Sequence, residues 1–353
     1  MRVASAVVLA ATLSTPVMAA SDWTKVDQIL GRSGAALPGD VHRYGFPRSD
    51  LHVTLDGVTL LPALALGGWL AFKPDGDMAM VMGDLVLTED EINPVMSELL
   101  AGGIAITAVH NHLLRAQPAT FYMHVDGHGD ATTLATTLHD ALASHTPLAS
   151  PGASTPAQPD LNAEQIEQVL GRKGNAVGGV LQFGFPRADA IEDAGMAVPP
   201  AMGTATAVNF QPTGGGKAAI TGDFVLEAKE VEPVLAALRG SGIEVTALHN
   251  HMLNDQPRTF FVHFWANDDA AKLAHGIRAA LDKVNVAKEL NQEGYHEQAR
   301  PDPRGSLSGG RDPGCCAAIG GGSAGKYPTR AIATGVSGGA DRTRHSAGLG
   351  CGR

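Results

Sequence analysis

Hydrophobic residues follow the periodicity of an amphipathic helix in the first half of the chain. The segment Thr88-Glu-Asp-Glu91 has the form of a capping box, in which a Thr and a Glu three residues later bind each other's backbone N–H groups. The apolar residues that follow recur at the spacing of one helix face: Ile92, Val95, Met96, Leu99 and Leu100. Gly102-Gly103 is a typical helix end, so the pattern predicts a helix between these points.

Segments rich in β-branched and aromatic residues lie on both sides of this helix, as is typical of strands. Met78 to Leu87 precedes the helix, and Ile104 to His112 and Thr120 to Val125 follow it. An amphipathic segment from about Ala131 to Ala143 predicts a closing helix. The order β-α-β-β-α predicts an α+β domain with a split βαβ, ferredoxin-like core, preceded by a further helix and strands.

The same blocks of sequence occur twice, in the same order. The clearest are Gly-Phe-Pro-Arg-x-Asp at 45–50 and 184–189, Gly-Asp-x-Val-Leu at 83–87 and 222–226, and Thr-Ala-(Val/Leu)-His-Asn-His at 107–112 and 246–251. Ordered blocks at a nearly constant offset indicate a duplication. We therefore expect two tandem copies of one domain.

Changes in composition mark the expected domain boundaries. Residues 21–146 form the first repeat and residues 161–287 the second. Between them, residues 147–160 are rich in Pro, Ala and Ser, which is typical of a solvated linker. From 288 to 353 the hydrophobic periodicity stops and Gly, Arg and Ser dominate, so we expect a disordered tail.

The N-terminus has the pattern of a secretory signal peptide. Met1-Arg2 supplies a positive charge, residues 3–13 are apolar, and Ala19 and Ala20 are small residues suited to cleavage. We therefore expect residues 1–20 to be removed and the protein to be periplasmic or secreted. No apolar run in the rest of the chain reaches the roughly 18 residues that a transmembrane helix needs.

Charge and cysteine content narrow the classes of function. With 26 Lys and Arg against 36 Asp and Glu, the net charge of −10 opposes binding to nucleic acid. All three cysteines, Cys315, Cys316 and Cys351, lie in the tail, which excludes disulfides and cysteine-only metal sites from the two repeats. We expect the partner to be a small molecule or a metal ion, and the oligomeric state stays open.

Histidines recur at matched positions in the two repeats. On a strand, His110 and His112 project from the same face, and an antiparallel return of the chain brings His124 beside them. The second repeat preserves all three: His249, His251 and His263. Three histidines on neighbouring strands match the ligands of a divalent metal such as zinc, with one position left for water or substrate. The alternatives are a metal-free polar cluster and histidines that only close a hairpin turn.

Aspartates present in both repeats are candidates for a general base or an orienting group beside the histidines. Asp84 and its counterpart Asp223 lie in a Gly-Asp step of a strand, where a buried carboxylate requires a partner. Asp50 and Asp189 are the other candidates, each two residues after an Arg. Arg48 could clamp an anionic substrate together with Asp50, but we favour an Arg–Asp ion pair that pins the strand edge.

Three motifs resemble those of the LppY/LpqO family of exported bacterial proteins. They are Met82-Gly-Asp-Leu-Val-Leu-Thr-Glu-Asp-Glu91, Thr107-Ala-Val-His-Asn-His112 and His124-Val-Asp-Gly-His-Gly-Asp130, with their counterparts in the second repeat. The resemblance covers roughly residues 22–287 and implies export and a duplicated domain, without assigning a catalytic residue. The chain has no cysteine at the expected cleavage site, which argues against the lipid anchor that the family name suggests.

The sequence therefore supports three hypotheses for function. The first is metal-assisted hydrolysis, with the histidines of each repeat as ligands and Asp84 or Asp50, or their counterparts, as base or orienting group. The second is a binding module that holds a metal ion or a small polar ligand without turnover. The third is a scaffold whose histidines are structural. Because residues 190–195 lack the apolar alternation of residues 51–57, one repeat could be active and the other structural.

Overall fold

The structure, a computed structural model, describes residues 23–147 and 158–288. The expected signal peptide, residues 148–157 of the expected linker and residues 289–353 of the expected tail lie outside the described residues. Within the two described ranges, no helix is long and apolar enough to cross a membrane.

The first repeat alternates strands with helices. Its helices are α1 (Thr24–Leu30), α2 (Pro62–Ala65), α3 (Glu89–Ala101) and α4 (Ala131–His145). Its strands are β1 (Ala35–Leu37), β2 (Val41–Pro47), β3 (Thr54–Leu55), β4 (Val58–Thr59), β5 (Gly67–Asp75), β6 (Met78–Leu87), β7 (Ala105–His110) and β8 (Phe121–Gly129).

The second repeat follows a similar order of elements. Its helices are α5 (Ala163–Leu170), α6 (Ala228–Gly240) and α7 (Ala270–Leu281), with a 3-10 turn at Pro200–Met202. Its strands are β9 (Asn175–Val177), β10 (Val180–Pro186), β11 (Glu192–Asp193), β12 (Met196–Ala197), β13 (Ala205–Gly214), β14 (Lys217–Glu227), β15 (Glu244–His249), β16 (Asp255–Gln256) and β17 (Thr259–Asp269).

Each repeat builds one six-stranded sheet, with strand order β1-β2-β5-β6-β8-β7 in the first and β9-β10-β13-β14-β17-β15 in the second. Neighbouring strands are antiparallel, and β8 lies between β6 and β7, which α3 connects. The predicted α+β class with two similar halves is confirmed. Small sheets of β3-β4 and of β12-β11-β16 lie outside the two large ones.

The helix predicted after Thr88 is confirmed as α3, and both halves of its capping box form. In α6, Glu227 and Glu230 make the same reciprocal arrangement. Val95 and Leu99, two of the periodic apolar positions of α3, are fully buried. The helical period in the sequence therefore identifies the face that packs on the sheet.

Two predicted strand ends differ from the structure. Strand β7 ends at His110 instead of two residues later, and a bulge between Ile106 and Ala108 interrupts its pairing with β8. Strand β8 continues to Gly129, because it pairs with β6 as far as Ala79. Pairing with neighbours in the sheet, which local composition does not report, decides where these strands end.

The helices of each repeat cover one face of its sheet. In the first repeat, α1, α3 and α4 bury alternate residues of the central strands, which are Leu70, Phe72, Val81, Leu85, Met123 and Val125. The second repeat has a matching core under α5, α6 and α7. The remaining residues of these strands project from the opposite face.

The opposite faces of the two sheets pack against each other. One apolar cluster joins Val86 and Tyr122 of the first repeat to Trp265 of the second. Another joins Met82 to Phe261. Together with the helices, the two sheets form four layers in the order helices, sheet, sheet, helices. The two repeats therefore share a core and form one compact unit.

The repeated Phe-Pro-Arg-x-Asp motif fixes a strand end to the first turn of a helix. Arg187 donates to Glu230 at 2.6 Å, to Asp189 at 2.7 Å and to the carbonyl oxygen of Val225 at 2.9 Å. Its side chain is fully buried, and that of Glu230 is 5% exposed. Arg48 makes the corresponding contacts in the first repeat. This geometry matches the strand-pinning role that the sequence analysis favours for the motif.

We expect Arg187→Ala to lower the free energy of unfolding by about 3–5 kcal/mol, because it leaves the Glu230 carboxylate buried without its cation. Denaturant unfolding followed by circular dichroism measures this change. Arg239→Ala, at an exposed position of α6, is the control and should change stability by less than about 0.5 kcal/mol. Equal stabilities of the two variants would show that the buried ion pair is not a stabilising element.

Candidate metal centre

The inner faces of the two sheets bring histidines of both repeats together. His124 on β8 is paired with Asp84 on β6, so the two side chains share a face of the sheet. In the second repeat, His263 on β17 is paired in the same way with Asp223 on β14. Strands β7 and β15, which end at histidines of their own, lie beside β8 and β17.

The six imidazole rings form one group across the interface. Three pairs of rings have centroids 3.7 Å apart, and each pair contains one ring from each repeat: His110 with His249, His112 with His263, and His124 with His251. The sequence predicts a separate site in each repeat, whereas the structure joins the two sets of histidines. Strand alternation shows which face of its own sheet a residue takes, but it does not show which faces of two sheets meet.

Two of the imidazoles stack on an aromatic ring of their own repeat. Tyr122 stacks on His112 with centroids 3.3 Å apart. At the corresponding place in the second repeat, Phe261 stacks on His251 at 3.5 Å. Each of these imidazoles therefore lies between an aromatic ring of its own repeat and a histidine of the other. Such packing fixes the plane of the ring, which pre-organises its nitrogen atoms for a ligand.

The nitrogen atoms are close enough to bind a common ion. The candidate ligand atoms of each of two sets lie within 4.8 Å of one another: His110, His112 and His124 in one set, and His110, His249, His251 and His263 in the other. Nitrogen ligands of a tetrahedral zinc ion are separated by roughly 3.4 Å. Only His110 belongs to both sets, and the larger set combines residues of the two repeats.

Eight polar side-chain atoms of this group are buried and, among the residues that the structure describes, have no hydrogen-bond partner. They are Nδ1 and Nε2 of His110, Nε2 of His112, His124 and His263, Nδ1 of His249, and Oδ1 of Asp84 and Asp223. A buried polar atom without a partner costs about 1–3 kcal/mol, and native proteins satisfy nearly all of them. A cation bound among these lone pairs would satisfy several at once.

The two carboxylates lie beside the imidazoles. Asp84 is 3.7 Å from Nε2 of His124 and 3.9 Å from Nε2 of His112. Asp223 is 3.8 Å from both His251 and His263. Burial raises the pKa of Asp84 to about 7, against the opposing charge of a nearby Arg. Burial also raises the pKa of Asp223 well above its usual value, with a contribution from the charge of Asp84.

Burial keeps the imidazoles neutral. It lowers the pKa of His110 to about 4 and that of His249 to about 3, and the other four pKa values fall well below the usual value. Nδ1 of His263 also lies 2.9 Å from the carbonyl oxygen of Gly222, so that Nδ1 carries the proton and Nε2 the free lone pair. Neutral imidazole is the form that binds a metal.

The profile of the family described as Domain of Unknown Function (DUF1259) matches residues 24–144 and 164–283, with one match in each repeat. The chain belongs to this family. The two matches confirm the duplication that the sequence blocks predict. A search of the curated proteins finds no match.

Solved structures provide distant likenesses to this DUF1259 protein. The trimeric bacterial microcompartment shell protein PduB is 12% identical with a TM-score of 0.18, over 70% of this chain and 89% of that one. EtuB from Clostridium kluyveri is 9% identical with a TM-score of 0.17, over 70% and 90% of the two chains. An unknown protein from Galdieria sulphuraria is 12% identical with a TM-score of 0.16, over 59% and 91%. TM-scores this low carry no argument about fold or function.

The other candidate carboxylates of the DUF1259 repeats do not join the histidines. Asp50 accepts hydrogen bonds from Arg48, which hold the pKa of this carboxyl below its usual value. Asp189 pairs with Arg187 and also accepts from the side-chain amide of Asn285. The structure therefore brings Asp84 and Asp223 to the histidines and leaves Asp50 and Asp189 at the strand ends.

A cavity of about 780 Å³ extends from the histidine group between the two sheets. Its wall includes both aspartates of the group and four of the six histidines, which are His112, His124, His251 and His263. It also includes Gly45 and Gly184, which are exposed. The cavity therefore connects the histidine group with solvent.

Arg43 and Trp69 line the same cavity, and neither is among the candidates predicted from the sequence. Arg43 is replaced by Gln182 in the second repeat, so the duplication gives no signal for this position. The one available signal was the position of Arg43 on strand β2, two residues before Gly45 of the repeated motif.

Proposed function

We propose that this DUF1259 protein holds a divalent transition metal between its two repeats, with zinc as the first candidate. The observation that carries this proposal is the set of eight buried, unpaired nitrogen and oxygen atoms on five of the six histidines and on the two aspartates. Imidazole and carboxylate ligands without sulfur suit zinc and the neighbouring first-row metals. The stacked rings and the hydrogen bond from His263 supply the fixed orientation that metal-binding histidines need.

Metal content tests this proposal. His110 belongs to both ligand sets, so we expect His110→Ala to reduce the zinc bound by the full-length protein to below half, as measured by plasma mass spectrometry after loading and dialysis. Two independent sites, one in each repeat, would instead leave about half of the metal. The double variant His110→Ala/His249→Ala should retain almost none.

The control for this measurement is His145→Ala. His145 lies at the end of α4, where its Nε2 contacts Glu98 at 2.8 Å, outside both ligand sets. This variant should bind as much zinc as the wild type. A wild-type protein that binds no zinc, manganese, nickel, cobalt or copper after loading would exclude the proposed metal centre.

We propose further that the metal centre serves hydrolysis. A bound divalent metal acts as a Lewis acid toward a carbonyl or phosphoryl oxygen. The cavity gives a small substrate access to the centre, and Asp84 and Asp223 lie beside the ligands, where a general base or an orienting group acts. The competing function is a module that binds the metal or a small ligand without turnover.

Turnover by variants separates these two functions. In a screen of chromogenic carboxylic and phosphoric esters with zinc-loaded protein, we expect Asp84→Asn to lower the rate at least about 100-fold, because the group loses its carboxylate base. Asp50→Asn should keep the rate, since Asp50 pairs with Arg48 away from the histidines. A metal-loaded wild type that hydrolyses none of the esters would favour the binding module.

Two further parts of the proposal concern the fold of each repeat and the location of the protein. The position of β8 between β6 and β7, with α3 as the connection, supports a split βαβ core of the ferredoxin-like type. The N-terminal pattern and the resemblance to the LppY/LpqO family support export to the periplasm or the medium.

Export has a direct test. We expect the mature protein from the periplasmic fraction or the medium to begin at Ala20 or Ser21, because cleavage follows Ala19 or Ala20. Intact-mass spectrometry of the full gene product measures this. A protein that keeps Met1 and stays in the cytoplasmic fraction would contradict export.

A further inference from the structure

The cavity beside the histidine group is asymmetric, although the repeats that form it are similar. Arg43 on β2 supplies a guanidinium to the wall, whereas Gln182 occupies the corresponding place on β10. Trp69 is paired with Asp84 across β5 and β6, and Ala207 holds that position opposite Asp223. One side of the cavity thus carries a cation on an aromatic ring, and the other carries a neutral amide and a methyl group.

Two contacts fix the position of the Arg43 side chain. Its guanidinium carbon lies 4.2 Å from the centroid of the Trp69 ring, within the range of a cation–π interaction. One of its terminal nitrogens donates to the carbonyl oxygen of Ala201 in the second repeat at 3.1 Å. A guanidinium has five N–H donors, and this is the one hydrogen bond that Arg43 makes among the described residues. Donors therefore remain for a ligand in the cavity.

The corresponding glutamine is already engaged. The side-chain amide of Gln182 donates to the carbonyl oxygen of Ala63 at 2.7 Å, across the interface between the repeats. It carries no charge. The two positions therefore differ in both charge and available donors, and a ligand that enters the cavity meets its cation on the first repeat alone.

Arg43 stays charged in this environment. Burial lowers its pKa to about 10, and the charge of Asp84 acts in the opposite direction, so the guanidinium is protonated at neutral pH. A fixed, partly desolvated guanidinium binds carboxylate and phosphate groups through charge-assisted hydrogen bonds. The apolar part of the same wall includes Pro62, Leu64 and Pro200 as well as the Trp69 ring.

We propose that the cavity binds a small organic anion, with its acid group on Arg43 and its apolar body along Trp69. The cavity volume of about 780 Å³ suits a small molecule. The further statement that the other end of the ligand faces the metal centre rests on the proposed function. Binding of the acid group to Arg43 does not depend on it.

Calorimetric titration of full-length protein with three aromatic probes tests the proposal. Benzoate and phenyl phosphate each carry an acid group, and benzyl alcohol has a similar body without charge. We expect at least one of the two anions to bind more tightly than the alcohol, and their relative affinities to distinguish a carboxylate ligand from a phosphate ligand. Arg43→Gln should weaken binding of the preferred anion at least about tenfold.

Two control variants make the result specific. Arg239→Gln removes the same charge from an exposed position of α6 outside the cavity, and it should leave binding unchanged. Gly45→Leu should weaken all three probes, because Gly45 lines the cavity and a side chain there meets no atom within 4 Å at its Cβ. Thermal unfolding should show that each variant is folded.

Three outcomes would overturn the proposal: no binding of either anion to the wild type, equal binding of alcohol and anions, or full binding by Arg43→Gln. Metal content is measured in the same samples, and each titration is repeated on protein treated with a chelator. A wild type that binds no zinc after loading but shows Arg43-dependent anion binding would reject the metal centre and leave the anion site standing. Full zinc content with no anion binding would reject the anion site and leave the metal centre standing.

Discussion

The burial of two carboxylates and six imidazoles between two apolar sheet faces is the constraint on which the rest of the structure depends. On β6, Met82 and Val86 belong to the two apolar clusters that join the sheets, and Asp84 lies between them. On β14, Val225 packs in one of these clusters beside Asp223. The sheets therefore cannot separate to hydrate the polar group without exposing apolar surface. The buried nitrogen and oxygen atoms of this group therefore need a partner that fits between the sheets.

The duplication explains how one chain assembles so large a group of donors. Each repeat supplies three histidines and one aspartate from its strands and from the loop after β7 or β15, and apposition of the sheets stacks the rings of one repeat on those of the other. A symmetric dimer of single domains would produce the same group but would be identical on both sides. In a tandem chain the two sides can diverge, as the replacement of Arg43 by Gln182 shows.

Much of the fold could be predicted from the sequence, because the helices and strands are specified by nearby residues. The capping box and apolar period located α3, and the repeated blocks indicated the duplication that the family match confirms. Strand ends such as that of β8 were less predictable, since they depend on pairing with distant strands. The candidate site was only partly predictable. Strand alternation predicted that His110 and His124 share a face, but the contact between His110 and His249 depends on how the two sheets pack.

The environment of the histidines distinguishes among the three hypotheses for function. Histidines that only close a hairpin would donate to backbone groups of the turn. His263 contacts the backbone of Gly222, which lies on a central strand and not in a hairpin turn. A purely structural metal site is closed by its ligands, whereas a cavity of about 780 Å³ reaches these residues. The cavity opens to solvent, Arg43 lies on its wall, and Asp84 and Asp223 lie beside the histidines. These features favour a site that receives a small molecule over a site that only joins the two sheets.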